Sequence, residues 1–409
     1  MTCWTRKPNT RLRRPQSTAT AIGVEDERTH AALVARSETV TLDIEPALTA
    51  TCHARRPSSN GRPRACCAAA LWAASTARRR VDRARTPSNL ARSHAPAIAG
   101  PFNPTMLDPR ITEHRNPRTA EIDLASHEEI VAIMNAEDSR VPAAVATQSA
   151  QIAQAMQIAE ETFRAGGRLF YVGAGTSGRL GVLDASECPP TFGVDPEMVQ
   201  GIIAGGLPAL TRAQEGAEDR PQGARDDLDL AGVRAGDFVI GIAASGTTPY
   251  VRAALEHGRK ICTRTAIVAC SPPPPETLAA ADVAIVVVTG PEVVTGSTRM
   301  KAGTATKLVL NTITTGAMIR LGKTYGNLMV DLQATNAKLE DRSERILREV
   351  CGVTREQARA LLDDAGRSVK TAIVMQKLGV NRDEALRQLA AHGGVIRRVV
   401  KDAPPPVRP

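Results

Sequence analysis

The sequence predicts an α/β protein: a five-stranded parallel sheet with helices on both faces, followed by a small C-terminal three-helix module. Three observations carry this. Five short apolar runs rich in β-branched residues recur between residues 168 and 288, each with the length and composition of a strand buried on both faces. Helical or turn-rich stretches separate them, the pattern of crossovers that join parallel strands. Beyond residue 350 the apolar spacing is helical.

Residues 1–105 stand outside this pattern. They hold 17 Lys and Arg against 7 Asp and Glu, and they lack a sustained period of 2 or 3.6. A disordered basic extension, an Arg- and Ser-rich targeting peptide, and a misassigned start with Met106 as the true first residue all fit; the last is the favoured reading. The rest of the chain holds 35 basic against 36 acidic residues, so the net charge of +9 gives no reason to expect a nucleic-acid partner for the folded part.

From Leu107 helical spacing runs over Glu128–Asn135 and Val145–Phe163, the second stopped by Gly166-Gly167. Strands are expected at Arg168–Val172, Met198–Ala204, Asp237–Ala243, Thr265–Ala269 and Val283–Val288. Long amphipathic segments follow over Arg299–Leu321 and Leu328–Val350. Three short helices fit Glu356–Asp363, Ser368–Lys377 and Arg382–Ala390, punctuated by Gly366 and Gly379. The expected organisation is an extension over 1–105, the sheet domain with its N-terminal helices over 106–345, a UBA-like helical module over 346–402 and a Pro-rich tail over 403–409. Cys188, Cys262, Cys270 and Cys351 are scattered, without CxxC or a histidine at metal spacing, which fits a reduced cytoplasm and no metal site. No apolar run reaches the roughly 20 residues of a membrane helix, so no membrane partner is expected.

Two loops carry the chemistry. In the first, over Tyr171–Arg179, the spacing of Gly173, Gly175 and Gly178 matches a dinucleotide fingerprint. The next strand, however, ends in Ala204-Gly205-Gly206, with no acid to hold a ribose. Hydroxyls on Thr176 and Ser177, with free amides at a helix start, suit a phosphate monoester instead. Gly175, Thr176, Ser177 and Gly178 are therefore candidate phosphate ligands. The second loop, Gly241–Pro249, offers Ser245, Gly246, Thr247 and Thr248 ahead of a proline placed for a first helical turn. Both loops end parallel strands and point into one crevice; which holds phosphate and which holds sugar is open.

Two acids stand near these loops. Glu187 lies in Ser186-Glu-Cys-Pro-Pro190, where two prolines are expected to stop any helix and fix a rigid loop. Glu218 lies in the acidic run Glu215–Asp219 after the second strand. By position alone each also reads as an ordinary surface acid. Ser297–Lys301 opens the long helix, with Ser297 and Lys301 as candidate substrate ligands. Arg299 and Lys301 either neutralise a substrate anion or face solvent or a neighbouring subunit.

Gly-Thr-Ser-Gly-Arg at 175–179 followed by Ala-Ser-Gly-Thr-Thr at 244–248 resembles the sugar isomerase domain, which implies a flavodoxin-like sheet and a phosphosugar ligand. The narrower resemblance is to the N-acetylmuramic acid 6-phosphate etherases. It is carried by Thr112-Glu113, Asn135–Ser139, Leu183–Pro190, Glu215–Asp219, Val294–Gly303, Asn327–Asp331, Lys370–Met375 and His392–Gly394, in order from about residue 107 to about residue 401. The resemblance implies a cytoplasmic lyase of cell-wall amino sugar catabolism, with Glu187 as proton donor and Glu218 as base. It also implies no cofactor, and a homodimer whose subunits complete each other's pockets. Two departures stand out: the run Pro272–Pro275, expected to change a loop away from both acids, and Thr247, where the family has a basic residue. A phosphosugar isomerase and a non-catalytic phosphosugar sensor are the rival readings.

Overall fold

The structure, a computed structural model, describes residues 108–332 and 337–407. The expectations for residues 1–105 lie outside them. The described chain opens with three short 3-10 turns between Ile111 and Leu124, then α1 (His127–Asp138), α2 (Val141–Ala146) and α3 (Ser149–Arg164). The alternating part follows: β1 (Leu169–Gly173), α4 (Gly175–Phe192), β2 (Val199–Ile203), α5 (Pro221–Leu230), β3 (Phe238–Ile242), α6 (Pro249–Lys260), β4 (Arg264–Ala269), α7 (Pro275–Ala279) and β5 (Val283–Val286). The long helix α8 (Lys301–Arg320) leads to a hairpin of β6 (Thr324–Tyr325) and β7 (Leu328–Met329). Then come α9 (Ala337–Cys351), α10 (Arg355–Asp364), α11 (Val369–Leu378), α12 (Arg382–Ala391) and α13 (Ile396–Val400).

The five expected strands form one parallel sheet in the order β2-β1-β3-β4-β5. Side chains alternate between two cores as a pleat requires. Leu169, Tyr171, Phe238, Ile240, Ala266 and Val268 face the layer that includes α3, α4 and α8. Phe170, Val172, Val239, Ile267 and Ala269 face the layer of α5 and α6. Apolar residues on both sides explain why the strands read as continuous apolar runs.

Four expectations are corrected. Val145–Phe163 is broken between α2 and α3, where Gln148 takes φ −104° and ψ 16° and its side-chain oxygen accepts the Val286 amide on edge strand β5 (3.1 Å). The prolines after Glu187 do not stop a helix; Pro189 and Pro190 lie inside α4, whose last turn is held by buried Cys188 and Phe192 and ended by Gly193 at φ 60°. Leu328–Val350 is not one helix, since the hairpin turns on Gly326 (φ 60°) and its second strand occupies Leu328–Met329. A fourth short helix, α13, closes the C-terminal part and buries Ile396 and Val399. The C-terminal core draws on Tyr325, Val330, Ile346, Leu347, Leu362, Ile373 and Leu389. It therefore begins at the hairpin, and the expected boundary at 345/346 falls inside α9.

Candidate active site

β1 and β3 are neighbours, with Gly173 level with Ile242. The crossover from β1 returns to β2 on one side and that from β3 to β4 on the other. The carboxyl ends of β1 and β3 therefore bound the crevice where this type of sheet binds ligands.

The first loop starts α4 without a side-chain cap at Ala174. The Gly178 amide bonds the Ala174 carbonyl (3.3 Å), so the amides of Gly175, Thr176 and Ser177 ahead of it have no intrahelical partner. Gly178 itself is buried. A Cβ there would stand 2.6 Å from Ile203 Cγ1 and 2.7 Å from the Gly173 carbonyl oxygen, so its part is to let α4 close onto β1 and β2. In the second loop the hydroxyls of Ser245 and Thr247 share a hydrogen bond (2.9 Å), and the Thr247 amide donates to Ser245 Oγ (3.3 Å). Gly246 takes φ +75° against Pro273, so the Pro272–Pro275 run abuts this loop rather than lying remote from the site. Thr248 starts α6, again without a side-chain cap. The Tyr250 amide in that first turn donates to the Glu218 carbonyl (3.0 Å), which ties Glu218 to the loop.

These groups line one cleft of about 360 Å³: Gly175, Thr176 and Ser177 from the first loop, Ser245, Thr247 and Thr248 from the second, and Glu218 with Asp219 beside them. Arg110 and Glu113 in the N-terminal segment and Gly296 with Thr298 before α8 also line it, together with Ala174, Ile242, Ala244 and Pro249. Two backbone bonds seat that segment: Thr112 donates to buried Ser271 Oγ (3.2 Å) and accepts from the Gly296 amide (3.2 Å). Farther along it, Asn116 Nδ2 donates to the Pro291 carbonyl (3.2 Å) and Thr119 Oγ1 to that of Val293 (2.8 Å).

Lys301 is committed elsewhere. Its side chain is fully buried, with Nζ 2.6 Å from Glu137 Oε2. Arg118 and Asn116 also bond that carboxylate. Glu292 caps α8 by accepting the amides of Lys301 (3.0 Å) and Ala302 (2.9 Å). Ser297 is half-buried beside the cleft without lining it, and Arg299 is exposed.

Residues 151–259 match the family model described as the glucokinase regulatory protein N-terminal SIS domain. An N-acetylmuramic acid 6-phosphate etherase of Parasynechococcus marenigrum is 52% identical over 288 residues, 70% of this chain and 91% of that protein. One of Mycolicibacterium smegmatis is 52% identical over 71% of this chain and 97% of its own length. The chain belongs to the N-acetylmuramic acid 6-phosphate etherase family. A solved phosphoheptose isomerase from Neisseria gonorrhoeae, at 17% identity and a TM-score of 0.37, covers 47% of this chain and 98% of its own, too distant a superposition to bear on activity.

In this etherase-family chain Glu187 does not share the cleft with Glu218. It is exposed on α4, twelve residues beyond Gly175, which is about 18 Å along the helix axis. Buried Asp184, one turn earlier, anchors that part of α4. It accepts from Tyr171 Oη (2.9 Å), Asn311 Nδ2 (2.5 Å) and Thr314 Oγ1 (3.0 Å), and burial pushes its carboxyl above the usual range. Sequence reasoning missed Arg110, Glu113, Asp219 and Thr298 as cleft residues. The signal was present for three of them, since Thr112-Glu113, Glu215–Asp219 and Val294–Gly303 belong to the etherase motif set.

Proposed function

We propose that this chain cleaves the D-lactyl ether of N-acetylmuramic acid 6-phosphate, giving N-acetylglucosamine 6-phosphate and D-lactate. The observation that carries this is Glu218 beside two uncapped, hydroxyl-rich helix starts in one cleft, in a chain 52% identical to named etherases. The open amides at Gly175–Ser177 take the phosphate, where a helix start favours an anion. Ser245, Thr247 and Thr248 meet the sugar hydroxyls.

Opening of the sugar ring makes C1 an aldehyde and acidifies the C2 proton. Glu218 removes that proton. The electron pair forms the C2–C3 double bond as the C3–oxygen bond breaks, and Glu187 protonates the departing lactyl oxygen. Water then adds its oxygen to C3, and C2 regains a proton. Exchange of the two acids' roles is the alternative assignment. The aldehyde supplies the acidity, so neither metal nor organic cofactor enters the scheme. Among the described residues no helix is long and apolar enough to cross a membrane; a phosphorylated substrate and free Cys188, Cys262, Cys270 and Cys351 support a cytoplasmic reaction. C2 and C3 are bonded neighbours, whereas Glu187 lies about 18 Å along α4 from the first loop. The two acids converge if the protein is a homodimer in which Glu187 of one subunit enters the cleft of the other.

A second reading, phosphosugar sensing without chemistry, draws on the match of residues 151–259 to a regulatory-protein domain. D-Lactate release decides between them. The parent is expected to release lactate, and Glu187→Gln and Glu218→Gln each to lose at least about 100-fold in kcat, the usual weight of a positioned acid or base. Tight substrate binding with no lactate from the parent would establish the sensor instead.

A further inference from the structure

A second cavity, of about 180 Å³, opens from the cleft and shares Ala174, Gly175 and Glu218 with it. Ala204, Ala209, Ala213 and Ala217 form its apolar side, and Gln214, Glu215 and Gly216 complete the wall. Arg179, at the end of α4's first turn, is the one cation in that lining. Its Nε donates to the Leu210 carbonyl (3.1 Å), which orients the guanidinium. Among the described residues neither Nη has a hydrogen-bond or ion-pair partner. The other cation of the joined cavities, Arg110, is already paired with Asp108 (2.5 Å).

We infer that this annex receives the lactyl group, with Arg179 binding its carboxylate and the alanine wall meeting its methyl; the inference rests on the etherase reading. The lactyl group hangs from C3, next to the C2 carbon on which Glu218 acts, and Glu218 is the acid common to both cavities. The phosphate, on C6, takes the open amides on the cleft side, where Thr176 and Ser177 line the cleft and not the annex. A guanidinium with two free nitrogens matches a carboxylate in a paired geometry. The N-acetyl group, the other small substituent, is neutral and would leave the cation uncompensated. The annex thus distinguishes substrate from product, because N-acetylglucosamine 6-phosphate keeps the phosphate and the N-acetyl group but has no lactate.

The test pairs two measurements on the full chain: D-lactate release from N-acetylmuramic acid 6-phosphate, and calorimetric binding of N-acetylglucosamine 6-phosphate. Arg179→Met is expected to lower kcat/KM for release about 100-fold, chiefly through KM, as loss of a charge-assisted pair does. Its affinity for N-acetylglucosamine 6-phosphate should change less than about threefold. Arg179→Lys should recover part of the loss. Ala213 is exposed, so Ala213→Leu narrows the annex without entering a core and should reproduce the same split. Equal losses in release and product binding would overturn the assignment and make Arg179 a sugar or structural residue. A parent that binds both sugars but releases no lactate would sink the etherase reading, and the annex with it.

Discussion

Lys301 shows what one residue's surroundings decide. An unpaired ammonium with no solvent exposure would not survive folding, and here it is matched by Glu137, itself bonded by Arg118 and Asn116. The cluster joins α1, the start of α8 and the N-terminal segment, and two of these flank the cleft. Glu137→Gln leaves a buried cation uncompensated and is expected to cost about 3–5 kcal/mol in urea unfolding. The acid limb follows from the carboxyl. Hydrogen bonds from Arg118, then Lys301 and Asn116, hold it at about 2 against an ordinary 4.5, outweighing burial. A lowered carboxyl adds stability that is complete above 4.5 and is lost as pH falls towards 2. Unfolding free energy measured from pH 5 to pH 2 should therefore fall steeply in the parent and less in Glu137→Gln. The sequence puts Lys301 in a polar motif at a helix start, where it reads as a substrate ligand. Its burial depends on Glu137, 164 residues earlier in the chain, and no local pattern reveals that pairing.

At the scale of elements, the β1–α4 turn is the most constrained piece of the cleft. Gly178 packs where a side chain would meet backbone, and the Gly173 carbonyl cannot move without disturbing β1. Gly178→Ala should lower stability by about 1–3 kcal/mol, the usual cost of forcing volume into a packed site. It should also raise KM by shifting the open amides, so thermal melts and steady-state kinetics check it together. This turn was legible because its signal is local: an apolar run, three glycines at fixed spacing, then helical spacing. The strands were legible for the same reason. Less visible were features set by tertiary contact. α4 continues through Pro189 and Pro190 because buried Cys188 and Phe192 hold it. The helical spacing breaks at Gln148, whose side chain meets an edge strand 138 residues later. Arg110 and Glu113 reach the cleft because Thr112 between them is hydrogen-bonded to Ser271 and Gly296, more than 150 positions away.

For the whole molecule, the separation of the two acids is the feature with the widest consequence. A rigid α4 fixed by Asp184 cannot bring Glu187 back to its own first turn. A closed twofold pair can, because it presents the same patch of each subunit to the other. α4 carries half-exposed Leu183 one turn before Glu187, an apolar contact suited to such a pairing. The expectation is complementation. Glu187→Gln and Glu218→Gln homodimers, each nearly inactive, are mixed, unfolded and refolded together. Half the refolded dimers should carry one of each chain. In these, one cleft receives both substitutions and the other receives neither, so about a quarter of parental activity should return. If both acids served the cleft of their own chain, every site would carry one substitution and mixing would restore nothing. Sedimentation of the same mixtures would show whether dimers had formed, so a silent mixture of dimers would speak against the shared site rather than against the assembly.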